Sequence, residues 1–110
     1  MIKWYTTICY FGTKIDKNNV IKYINNNEFN LFIKKHIQNK FDSFTISDNI
    51  GYWNGQKEIT KCLTIIHNND NDTLDKLINI AKKYSKKYDQ DEVLINTVKS
   101  SKITINLNKF

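Results

Sequence analysis

The stretch FDSFTISDNIGYWNGQKEITKCLTIIH (residues 41–67) decides the fold. Asn54-Gly55 is the strongest short hairpin signal a sequence offers, because a type I′ turn needs positive φ at both central residues. The segment before it reads as a long strand with Phe44 and Ile46 on one face. The segment after it is the return strand. There Ile59, Leu63 and Ile65 share one face, while Glu58, Thr60, Cys62 and Thr64 share the other. Alternating apolar residues around Asn-Gly would suffice for a hairpin. The adjacent rings Tyr52 and Trp53 and the carboxylate of Glu58 at the start of the return strand are surplus to that need.

Upstream, IKWYTTICYF (residues 2–11) alternates large residues on both sides, as a strand buried on both faces does. Gly12 ends it. Asp16 reads as the N-cap of a helix through Val20, Ile21 and Ile24, which Asn25–Asn27 then breaks. Phe29, Phe32, Ile33 and Ile37 resume the helical period, so two helical pieces at a bend are expected. Downstream, Asp72 or Thr73 caps a helix carried by Leu74, Leu77, Ile78, Ala81, Tyr84 and Tyr88. Lys82, Lys83, Lys86 and Lys87 load its last turns, where cations complement the helix dipole. EVLINTVKS (92–100) and KITINLN (102–108) read as strands. The order is β-α-β-β-α-β with an additional strand, an α+β, ferredoxin-like antiparallel sheet with both helices on one face. All of it fits one domain, residues 1–110. The other face would carry Glu58, Thr60, Cys62, Thr64 and several rings, and self-association is the economical way to cover it.

Composition narrows the function. The chain is 40% hydrophobic with six Tyr, six Phe and two Trp, enough for a packed core. No run is long enough to span a membrane, and the first residues lack the pattern of a signal peptide. A cytoplasmic protein is expected. The net charge of +6 is carried entirely by lysine, without arginine or proline. The abundance of Asn, Ile and Lys suits an AT-rich genome and accounts for part of this basicity. Nucleic acid readers use the planar fork of arginine, so its absence argues against that class. Cys9 and Cys62 read as buried free thiols. His36 and His67 are far apart and suit a helix surface or strand end better than a zinc site.

No nucleophile elbow, Cys-His motif or glycine-rich phosphate loop is present; the three glycines are Gly12, Gly51 and Gly55. An enzyme built this way must run a reaction that asks little of side chains, with no metal and no cofactor. Three segments are candidates for a site. Tyr52, Trp53 and Glu58 are open to two readings, a solvated strand end or a ligand contact. Lys82–Lys87 (KKYSKK) reads as a solvated helix end or an anion patch. Asp89, Gln90 and Asp91 read as a helix exit, with Gln90 able to reach a ligand near a subunit boundary.

The run GYWNGQKEIT (51–60), the amphipathic helix and QDEVLI (90–95) together resemble the small PII-like proteins that include phage S-adenosylmethionine lyases, over about residues 2–98. The resemblance implies that Glu58 is the essential glutamate. The family's tyrosine falls on Trp53 with Tyr52 beside it, so either ring, or neither, takes its role. It further implies a trimer joined through the face opposite the helices, with Glu58 and Thr60 on that face and ligand sites between subunits. An adenine would lie against Tyr5, Tyr52 or Trp53. The substrate implied is the conjugate of S-adenosylmethionine with AMP, a second messenger of type III CRISPR antiviral defence to whose removal lyases of this family are linked, or S-adenosylmethionine itself; the basic balance of the chain favours the phosphodiester of the conjugate. In such lyases the methionine arm attacks its own γ-carbon. That leaves methylthioadenosine, or its AMP conjugate, and homoserine lactone. Two other readings stay open: a non-catalytic PII-like nucleotide-sensing regulator and a ferredoxin-like nucleic acid module.

Overall fold

A computed structural model describes residues 2–68 and 70–107 of the chain. Along it run β1 (Trp4–Gly12), β2 (Lys14–Lys17), β3 (Val20–Tyr23), α1 (Asn26–Phe32) continuing into a π-turn (Ile33–Ile37), β4 (Thr45–Trp53), β5 (Gln56–Asn68), α2 (Asn71–Lys87) and β6 (Leu94–Ser100). Four strands form one antiparallel sheet in the order β4-β5-β1-β6, and β2 pairs with β3 in a separate hairpin. Asn54 (φ 50°) and Gly55 (φ 78°) make the turn between β4 and β5.

Register sorts the sheet into two faces. Ile46, Leu63, Cys9 and Ile95 stand in one row across it. Together with Phe11 and Ile65 they meet Phe29 and Phe32 from α1 and Leu77, Ile80 and Tyr84 from α2 in one contiguous core. Tyr84 sits at its centre, with ring centroids 4.6 Å from Phe11 and 5.2 Å from Phe32. Each fully buried side chain of this size contributes roughly 1.5–3 kcal/mol. Lys61 belongs to the same face and is buried with its charge compensated: its Nζ donates to Asn26 Oδ1 (2.6 Å) and Asp48 Oδ1 (2.7 Å). The next row of the opposite face is Ser47, Cys62, Tyr10 and Leu94. Cys9 and Cys62 therefore lie on opposite faces, buried and unbridged.

Four expectations need correction. Asp16 caps no helix: residues 14–23 are a β-hairpin turned by Asn18 (φ 54°) and Asn19 (φ 62°), both left-handed. Asparagine tolerates that region better than most residues, and β-branched Val20 and Ile21 favour the strand. Asn25 begins a helix where a break was expected; its side chain accepts from Glu28 N (2.9 Å), a capping arrangement. Helix α2 starts earlier, after Asp70, and buries Ile80, leaving Ile78 exposed. Finally, residues 102–107 form no strand, and Asn108 lies outside the described residues. The additional strands are β2 and β3, inserted between β1 and α1.

Candidate functional site

The corner where β1 passes into β2 is tied down at every polar backbone group from the Gly12 carbonyl to the Lys14 carbonyl. The Tyr84 hydroxyl donates to Gly12 O (2.5 Å). The Ile24 amide donates to Thr13 O (2.7 Å). The Thr13 and Lys14 amides both donate to Glu58 Oε2, at 3.3 and 2.9 Å. Gln90 Nε2 donates to Lys14 O (3.0 Å) and to Tyr88 O (3.2 Å). The Tyr84 phenol is pushed far above its ordinary range, by burial first and then by Tyr88 and the carboxylates of Glu58 and Glu28. It stays a donor at any working pH.

Gln90 arrives at this corner through the end of α2. Asp89 adopts the left-handed conformation (φ 50°) and the Gln90 amide closes on Ser85 O (3.0 Å), the bond that defines a Schellman cap. With its amide nitrogen held by two carbonyls, the Gln90 oxygen is turned toward Gly12. A Cβ on Gly12 would lie 2.8 Å from Gln90 Oε1 and 3.3 Å from Glu58 Oε1. Two acceptor oxygens thus converge over the bare Cα of Gly12. Neither accepts a hydrogen bond from the described residues.

These oxygens open into a cleft of about 430 Å³ between the β2 strand, the tip of the β4–β5 hairpin and the turn leaving α2. Tyr10 and Leu94, register neighbours on the sheet, line it, and Trp53 forms a wall. The Trp53 indole folds back across Gly51 and donates from Nε1 to Thr60 Oγ1 (3.2 Å). A Cβ on Gly51 would meet both groups, at 2.7 Å from the indole nitrogen and 2.4 Å from the threonine oxygen. The open sheet face needs glycine there to lay the indole flat. No group of three His, Cys, Asp or Glu among the described residues is placed to hold a metal.

The residues singled out in the sequence are distributed unevenly. Glu58, Gln90 and Trp53 come together in the cleft. Thr60 is buried behind Trp53 and positions the ring without reaching the cleft itself. Tyr52 pairs with Lys57 on the opposite face of the hairpin and is 68% exposed. Of the two adjacent rings, only Trp53 lines the cleft. Tyr5 lies far from Glu58 within one chain. It sits seven positions from Gly12 along β1, about 23 Å at the rise of a strand, and stacks on His67 (6.0 Å between centroids). His67 itself is a buried strand-end residue, bonded through Nε2 to Thr7 Oγ1 (2.6 Å). Gly12, Tyr10 and Lys14 were not singled out. Their nearness to Glu58 comes from the pairing of the end of β1 with the start of β5, which carries no local signal.

Residues 6–104 match the family model described as a protein of unknown function, DUF3574. The chain belongs to the DUF3574 family. No curated protein matches it in sequence. Similar solved structures are a phage SAM lyase in complex with S-methyl-5′-thioadenosine and a phage SAM lyase in the apo state. The first has a TM-score of 0.64 at 16% identity, covering 87% of this chain and 81% of that one. The second has a TM-score of 0.59 at 13% identity, with 88% and 81% covered. At this identity the likeness is one of fold. The mixed α+β architecture, with its antiparallel sheet and two helices, is shared with the phage enzyme.

Proposed function

We propose that this DUF3574 protein is a lyase of S-adenosylmethionine or of its AMP conjugate. The observation that carries the reading is the pair of free acceptors, Glu58 Oε1 and Gln90 Oε1, meeting over Gly12 beside an indole wall. Two acceptors and no donor suit an ammonium group, and the wall suits a nucleoside base. Held by its ammonium, the methionine arm can fold so that its own carboxyl oxygen approaches its γ-carbon. The new O–Cγ bond forms as the Cγ–S bond breaks, and the electron pair goes to sulfur, which becomes a neutral thioether. Homoserine lactone retains the ammonium. No base, acid or metal takes part in this step, so the chain contributes orientation and a poorly hydrated carboxyl group. Charge is lost as the bond forms, so a tight aromatic cage around the sulfonium would stabilise the ground state more than the transition state. A single indole is the better arrangement.

One observation favours a second reading. Glu58 already fastens the β1–β2 corner through Thr13 and Lys14, as a structural residue of a non-catalytic nucleotide sensor would. Incubation with S-adenosylmethionine and with its AMP conjugate, followed by chromatography, separates the two. Release of methylthioadenosine, or its AMP conjugate, with lactone supports the lyase. Binding of both ligands without cleavage transfers the site to the sensor.

A further inference from the structure

We infer that the cleft selects its ligand by charge, accepting nucleosides that carry a sulfonium or ammonium group and turning away those whose phosphate would enter it. The inference rests on the cleft being the substrate site, and it adds what that site discriminates and which residues do so. The chain is strongly basic, at +6 with 17 lysines. The cleft reverses that sign. Asp16, Glu58, Asp89, Asp91 and Glu92 line it, five of the chain's 11 acidic residues, against Lys14 and Lys57. Lys14 donates to Gln56 Oε1 (2.6 Å), away from the carboxylates. Lys17 reaches Asp89 (3.3 Å) at the exposed rim. Asp16, Asp91 and Glu92 form no ion pair among the described residues.

The two converging oxygens carry the same message independently of the rim. The Gln90 amide is oriented by Lys14 O and Tyr88 O so that only its acceptor faces Gly12, opposite the acceptor of Glu58. A phosphate brings no donor to that position. A cleft lined by one sign of charge focuses its field inward and raises the local concentration of counter-charged ligand. The same field acts on the products. Cleavage turns the sulfonium into a neutral thioether, so the nucleoside product leaves a cleft that no longer attracts it.

Calorimetric binding of three probes tests this without turnover. Sinefungin carries one net positive charge, S-adenosylhomocysteine is a zwitterion of almost the same shape, and AMP is an anion. At low ionic strength sinefungin should bind about tenfold more tightly than S-adenosylhomocysteine, with the ratio shrinking as salt is added and AMP binding weakest. The AMP conjugate of S-adenosylmethionine should likewise bind more weakly than S-adenosylmethionine. The triple variant Asp89→Asn, Asp91→Asn, Glu92→Gln leaves Glu58 and Gln90 in place, and asparagine tolerates the left-handed conformation at position 89. It should bring the sinefungin ratio to about twofold and flatten its salt dependence. Equal affinity of the wild type for sinefungin and S-adenosylhomocysteine, tight AMP binding, or a ratio unmoved by the triple substitution overturns the inference. Cleavage without charge preference would leave the lyase standing and remove this inference. Charge-selective binding without cleavage would do the reverse.

Discussion

Glu58 divides its two oxygens between structure and ligand: Oε2 takes two backbone amides, and Oε1 faces the cleft. Glu58→Gln can keep an acceptor on the amides, so the fold should survive. The ligand-facing atom then loses its charge or becomes a donor. One charge-assisted hydrogen bond is worth roughly 1.5–3 kcal/mol. The same contact holds the methionine arm in its cyclising shape, so turnover should fall at least about 100-fold, more than affinity. Steady-state kinetics beside calorimetry checks this, and near-normal turnover would return Glu58 to a purely structural role. Gly12→Ala probes the same spot from below. Its Cβ would push against Gln90 Oε1 at 2.8 Å, an oxygen whose amide is held on the far side by two carbonyls. Ligand affinity should drop about tenfold or more while circular dichroism stays unchanged, since losing one acceptor for the ligand ammonium costs on that scale. Unaltered affinity would mean that the ammonium does not sit over Gly12.

At the scale of elements, the β4–β5 hairpin was legible because Asn54-Gly55 specifies a turn whose geometry propagates along both strands. Glu58 and Trp53 were legible with it, as a charge and a ring in excess of what pairing requires. The β2–β3 hairpin was not. Its apolar residues at 20, 21 and 24 also satisfy a helical period, and Asn18-Asn19 carries no glycine to mark the turn. Gln90 was readable only through a motif, since its place depends on the left-handed cap at Asp89. Packing between β1 and α2 makes a further prediction. Burial pushes the Cys9 thiol up from 9.0 to about 12, and burial likewise raises the phenols of Tyr84 and Tyr88. For each group the folded state favours the protonated form, so this stability is complete below the unfolded pKa and declines as pH rises toward the folded one. Thermal melts should be flat from pH 7 to about 8.5 and fall steadily above about 9. Cys9→Ala should lower the neutral melting temperature yet flatten the alkaline slope. A wild-type midpoint unchanged at about pH 10.5 would contradict the assignment.

Across the whole molecule, part of the apolar surface left in contact with solvent lies on the sheet face away from the helices. Ile66, Thr6 and Val98 form one register row there, with Ile66 54% and Val98 50% exposed, and Leu94 follows on the same strand at 51%. Among the described residues both helices pack on the opposite side and leave this row half exposed. A row of this kind suits a closed symmetric assembly, and we propose a trimer, the assembly that the PII-like resemblance implies. Such a trimer would also place neighbouring subunits beside the cleft, whose Tyr10 and Leu94 lie on the same face. Light scattering at micromolar concentration should give three times the chain mass. Ile66→Lys with Val98→Lys puts two charges on the row without touching the helix-facing core, so the double variant should be a folded monomer with native-like circular dichroism. If the sites are completed between subunits, that monomer should also lose ligand affinity and turnover together. A wild type that is already monomeric removes the trimer, and a monomeric variant with full activity shows that each cleft works alone.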